Sequence, residues 1–145
     1  MINTWNPKTD GHFINDFRGK LLKKDFLQTD IDVIVENAKD ALSKTIDPKN
    51  PNQNNETFKT NLVLGYIQSG KTTSMEAVSC LARDNGFKLM IILSGHVSNL
   101  ADQTEERVYE SLDQFGWNRI PIKSGQKPQL EKDLSLFKDL IGSDE

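Results

Sequence analysis

Covalent and metal-held scaffolding is scarce in this sequence. Cys80 is the one cysteine in 145 residues, so no disulfide closes within a single chain and no cysteine cluster holds a metal. That usage fits a reducing, cytoplasmic compartment. His12 and His96 are the only histidines, and neither H-E-x-x-H nor C-x-x-C occurs. No pair of carboxylates stands at a spacing that demands acid–base work. Positive charge is not in excess either. The net charge is −3, so no global field draws the chain to nucleic acid or to an acidic membrane, and any such contact is local. The longest apolar run, Leu89 to Leu93, is five residues, against the roughly 20 a membrane-spanning helix needs. Met1 to Pro7 has no apolar signal core. The absence of G-x-G-x-x-G argues against a Rossmann dinucleotide site.

What is present is a soluble globular composition, 36% hydrophobic and 27% charged, in a chain long enough for one core. One segment in it names a chemistry. Gly65-Tyr66-Ile67-Gln68-Ser69-Gly70-Lys71-Thr72 fits the P-loop pattern G-x-x-x-x-G-K-[ST] at every fixed position. Average residue usage gives such a match by chance in about one chain in two hundred of this length. Gly65 and Gly70 let the backbone bend so that successive N–H groups face phosphate oxygens. A helix starting near Gly70 adds its unpaired N–H groups and positive dipole end. Lys71 reaches the β- and γ-phosphates, and the Thr72 hydroxyl ligates Mg²⁺. The expected cofactors are ATP and Mg²⁺, held by Gly65, Gln68, Ser69, Gly70, Lys71, Thr72 and Thr73.

The rest of the chain gives that loop a setting. A helix is expected from Ile14 to Phe26, bent near Gly19. Thr29 reads as an N-cap, followed by Ile31, Ile34, Val35, Ala38, Ala41 and Leu42 at helical spacing up to about Ile46. Two prolines and four asparagines between Asp47 and Glu56 mark a surface loop. The division is therefore an N-terminal helical region and polar linker, residues 1–57, and a partial nucleotide-binding domain, residues 58–145. In the second region Leu62-Val63-Leu64 reads as a strand. A helix follows from Lys71 to about Asn85, with Met75, Val78, Leu81 and Ala82 inward and Gly86 ending it. Leu89 to Leu93 reads as a strand buried on both faces. A helix from about Ser98 to Phe115, a strand from Arg119 to Ile122 and a helix from Leu130 to Ile141 complete the pattern. The order predicts an α/β fold of the RecA-like P-loop NTPase class: a partial parallel sheet with flanking helices, preceded by the N-terminal helical region.

The segment from Leu62 to Val108, about a third of the chain, also resembles known sequences. G-x-x-Q-S-G-K-T in the loop, Asp84-x-Gly86-x-Lys88 before the apolar run, and Asn99-Leu100-x-x-Gln103-Thr104-x-x-Arg107 after it carry the likeness. It resembles the N-terminal lobe of the Z-one-domain endonuclease family and, more broadly, the first RecA-like lobe of superfamily 2 helicases. The resemblance implies an ATP-binding module of a DNA-acting helicase or endonuclease ATPase, of the kind found in bacterial restriction and phage defence. It implies DNA as a partner, with Ser94, Gly95 and His96 at the nucleic-acid edge.

The departures from the family pattern are specific. No apolar strand ending in Asp-Glu follows Lys71, so the Walker B carboxylates that hold Mg²⁺ and activate water are missing, as are a second lobe and its arginine fingers. The chain therefore reads as incomplete for hydrolysis, needing further domains or a partner chain to complete an ATPase site. The alternative from another class is a non-catalytic interaction or regulatory module built on a truncated lobe. A small-molecule kinase fits the loop but lacks acceptor-site and lid residues. Arg18, Lys20, Lys23 and Lys24 among Phe17 and Phe26 read as a solvated helix face ahead of a nucleic-acid patch. His12 reads as a surface residue, and His96 as a loop histidine or a ligand-facing one.

Overall fold

A computed structural model describes residues 4–51, 59–60, 62–63, 71–91, 115 and 117. Three helices account for the regular structure among them: α1 (His12–Leu22), α2 (Gln28–Ser43) and α3 (Lys71–Asp84). α3 packs against both of the others, while α1 and α2 meet only slightly. Each contributes one apolar stripe at the spacing of a helix face. α1 gives Ile14, Phe17 and Leu21; α2 gives Ile31, Val35, Ala38 and Leu42; α3 gives Ala77, Cys80, Leu81 and Ala82. Phe115 closes the cluster, its ring edge-on to Phe17 with centroids 6.3 Å apart. One ion pair crosses from α1 to α3, Lys20 to Glu76 at 3.5 Å, and the Lys20 ammonium also sits 5.3 Å from the centre of the Phe115 ring.

The helix ends explain where each element stops. At the end of α1 the Phe26 N–H donates to the Leu21 carbonyl and the Asp25 N–H to the Leu22 carbonyl, the two-bond Schellman arrangement. It places Asp25 at φ 62, in the left-handed region. The end of α3 repeats the motif, with Phe87 N–H to Ala82 and Gly86 N–H to Arg83, and here glycine takes the left-handed position at φ 97. Gly19 lies inside α1 without breaking it, and α2 starts at Gln28, ahead of the expected cap at Thr29.

The expected α/β fold with a parallel sheet is not what this architecture shows. Among the described residues there are three helices and no strand. Of the apolar runs read as strands, Leu62, Val63, Leu89 and Ile91 expose 82%, 72%, 46% and 73% of their surface, while Met90 lies half-buried against the helical core. A central parallel strand is covered on both faces and paired along both edges. The reason lies in α3, whose apolar face is taken up by α1 and α2 and not by a sheet. Short apolar runs carry no periodicity of their own, so flanking context decides their state.

Candidate functional site

α3 begins at Lys71, where the P-loop pattern places the first turn of its helix. Its opening turn contains no acidic residue, so no side-chain carboxylate of that turn competes for the free N–H groups there. Thr72 is exposed, and Thr73 and Ser74 are half-buried. Gly65, Gln68, Ser69 and Gly70 lie outside the described residues, as do Ser94, Gly95 and His96. The structure therefore places the Lys71–Thr73 end of the motif and leaves the rest of the expected site without a described position. The first turn of α3 fits a phosphate and its magnesium in kind: the positive end of a helix, an exposed hydroxyl at Thr72 and no acidic residue in the turn. Among the described residues no group of three or more His, Cys, Asp or Glu side chains is placed to hold a metal ion.

The opposite end of α3 is tied down by side chains that the sequence pattern had marked only as a helix terminus. Asp84 receives the Phe13 N–H at 3.1 Å on Oδ1 and the Ile14 N–H at 2.9 Å on Oδ2. Gly11, the residue at the N-cap of α1, makes no side-chain bond of its own, so Asp84 supplies the cap from another helix. The carboxylate sits so close that a Cβ at Gly11 would overlap it. Asn85 is buried and fully used. Its Oδ1 accepts the Lys8 N–H at 2.9 Å, and its Nδ2 donates to the Lys8 carbonyl at 3.0 Å and the Leu81 carbonyl at 2.8 Å. Asp84, Asn85 and Gly86 thus do three separate jobs: they cap α1, hold the segment before it, and end α3.

Other titratable groups are held in structural roles. Cys80 lies in the core, and burial, reinforced by the Asp84 and Glu76 carboxylates, pushes its thiol well above the ordinary range. A thiol so placed stays protonated and is no nucleophile. Arg83 lies between two aromatic rings, 5.9 Å from the centre of Phe13 and 5.4 Å from that of Trp117. His12 is exposed and reaches Asp16 at 3.4 Å. Among the described residues no helix is long and apolar enough to cross a membrane.

Compared with protein-family models, with curated proteins and with solved structures, the chain matches none. The likeness to helicase-type ATPases rests on the residues quoted for it alone.

Proposed function

We propose that this chain binds the phosphates of a magnesium nucleoside triphosphate at the N-terminus of α3. The observation that supports the reading is a coincidence of pattern and place: a complete G-x-x-x-x-G-K-T sequence runs into a helix that starts at its lysine. In this reading the loop N–H groups from Gly65 to Gly70 and the first turn of α3 meet the phosphate oxygens. Lys71 neutralises the terminal phosphates, and Thr72 holds the magnesium with Thr73 beside it. The metal would supply charge neutralisation across the phosphates. The proposal is for binding: the residues that carry it, Gly65 to Thr73, are those of a phosphate and magnesium cradle. By the same resemblance the wider setting is a DNA-acting ATPase in restriction or phage defence, with Ser94 to His96 at the nucleic-acid contact.

The test is a titration of the full chain with a fluorescent ATP analogue and Mg²⁺, set beside Lys71→Ala. Saturable binding lost in the variant supports the reading. A folded wild-type chain that binds no nucleotide overturns it.

A further inference from the structure

Asn85-Gly86 is the only Asn-Gly pair in the sequence, and it stands where the fold ties α3 to the segment ahead of α1. In such a pair the asparagine deamidates readily, because glycine has no side chain to shield its backbone nitrogen. The Gly86 nitrogen attacks Cγ of Asn85, and a C–N bond forms. The Cγ–Nδ2 bond breaks, and ammonia leaves with the proton given up by the Gly86 N–H. Water then opens the cyclic imide at either carbonyl and returns a proton to the Gly86 nitrogen. The product is aspartate or isoaspartate.

In the folded chain both reacting groups are held away from that path. Oδ1 of Asn85 accepts the Lys8 N–H at 2.9 Å, and Nδ2 donates to the Lys8 and Leu81 carbonyls at 3.0 and 2.8 Å. The Gly86 N–H donates to the Arg83 carbonyl at 3.2 Å, and the Asn85 N–H to the Leu81 carbonyl at 3.0 Å. Bringing the Gly86 nitrogen to Cγ turns the backbone between them, which opens the end of α3 and pulls the amide off Lys8. The reaction therefore runs only from an opened clamp.

Neither product can close the clamp again. A carboxylate has no N–H to donate, so its oxygens would face the Lys8 and Leu81 carbonyls that the amide had served. Asn85 is buried, so that charge would also be cut off from water. Isoaspartate adds a methylene to the backbone of a turn that the Phe87-to-Ala82 and Gly86-to-Arg83 bonds define. We propose that Asn85-Gly86 is a deamidation site kept silent by the Lys8 clamp, and that its conversion frees the segment ahead of α1 permanently. A transient opening is thereby recorded as a covalent change, with water the only co-reactant. Nucleotide binding at the far end of α3 plays no part in it.

The experiment ages the full chain in mildly alkaline buffer, folded and in urea. Peptide mass spectrometry follows the amide-to-acid mass gain at Asn85. Conversion in urea should run on the order of a hundredfold faster than in the folded chain, since three hydrogen bonds of the amide must be released in the fold. Below the unfolding transition, added urea should raise the rate in step with hydrogen exchange at the Gly86 amide. Asn85→Asp supplies one product directly. Verified as folded by circular dichroism, it should lose protection at the Lys8 amide and be cut by trypsin after Lys8, an exposed side chain, while α2 stays protected. Should that variant not fold, wild type aged to partial conversion takes its place, and the converted chains should be the ones cut after Lys8. A folded chain that converts as fast as the urea-unfolded one overturns the proposal, as does a chain that does not convert in urea. So does a converted or Asn85→Asp chain whose Lys8 amide stays as protected as in wild type.

Discussion

Asp25 pays for the turn after α1 with a backbone angle that a side chain resists. Its φ of 62 is forced by the two Schellman hydrogen bonds, and the same position after α3 is filled by Gly86. Asp25→Gly should therefore stabilise the chain by about 0.5–1 kcal/mol, the strain relieved outweighing the added freedom of the unfolded chain, as read by urea unfolding. At Gly11 the sign reverses, for a different reason. A methyl there would displace the Asp84 carboxylate from two backbone donors that it meets at 3.1 and 2.9 Å. Loss of a charge-assisted bond costs about 1.5–3 kcal/mol, and Gly11→Ala should lose about that much on the same urea curves. Cys80 offers a test by pH. Its thiol is pushed up by burial first and by Asp84 and Glu76 after it, so the folded state keeps a proton that the unfolded chain gives up. Stability from this source is complete below a free thiol's value of about 8.5 and falls above it, by up to about 1.4 kcal/mol per pH unit. Cys80→Ala should flatten that alkaline loss between roughly pH 8.5 and 10. A variant whose stability falls as steeply as wild type would show that the thiol ionises freely in the fold.

Among the elements, α1 depends on α3 for its start. A helix leaves its first N–H groups unpaired, and α1 has no acidic residue in its first turn and no side chain of its own at the cap. Asp84 fills that need from the far end of another helix, and Asn85 fixes the approach by pairing with both backbone groups of Lys8. Asp84→Ala should leave α2 and the centre of α3 intact while amide exchange at Phe13 and Ile14 quickens by one to two orders of magnitude, equivalent to about 1.5–3 kcal/mol. Exchange that quickens equally across all three helices would mean that the cap stabilises the whole core and not one helix end. The elements also show what a sequence makes legible. Ile31, Val35, Ala38 and Leu42 announce α2 because a stripe at helical spacing has few other uses, and the glycine after α3 marks its end for the same local reason. Met75 was expected inward and is exposed, while Ala77 and Cys80 take the buried positions, because the facing helices α1 and α2 set which side of α3 turns in. The runs Leu62–Leu64 and Leu89–Leu93 read as strands, yet their described residues, 62–63 and 89–91, form none, since a strand is completed by a neighbour that the run itself does not encode. At the candidate site only the start of α3 at Lys71 is both read in the sequence and described in the structure. The Asp84 clamp was invisible beforehand, because its partners are some seventy residues away in the chain.

On the scale of the whole molecule the proposed phosphate site and the α1 clamp fall at opposite ends of α3. Its C-terminal end anchors α1 and the segment before it, whereas its N-terminal end carries Lys71 and Thr72 and is the end assigned here to phosphate. A ligand that binds only the folded chain raises stability by RT ln(1 + [L]/Kd), about 2.7 kcal/mol at a hundredfold excess over Kd. For a chain of this size that corresponds to a rise in Tm of several degrees, on the order of 3 °C per kcal/mol. The rise should require Mg²⁺ and triphosphate together. Lys71→Ala should keep the unliganded Tm within about 1 °C of wild type, since alanine is at least as good a helix former as lysine, yet lose the ligand-induced rise. Asn85→Ala should do the opposite: removing a buried amide with three hydrogen bonds lowers the unliganded Tm, while the shift on adding nucleotide persists at temperatures where the variant is folded. If both variants lost the nucleotide shift together, the N-terminal turn of α3 would not be acting as an independent phosphate site, and binding would belong to the integrity of the three-helix core.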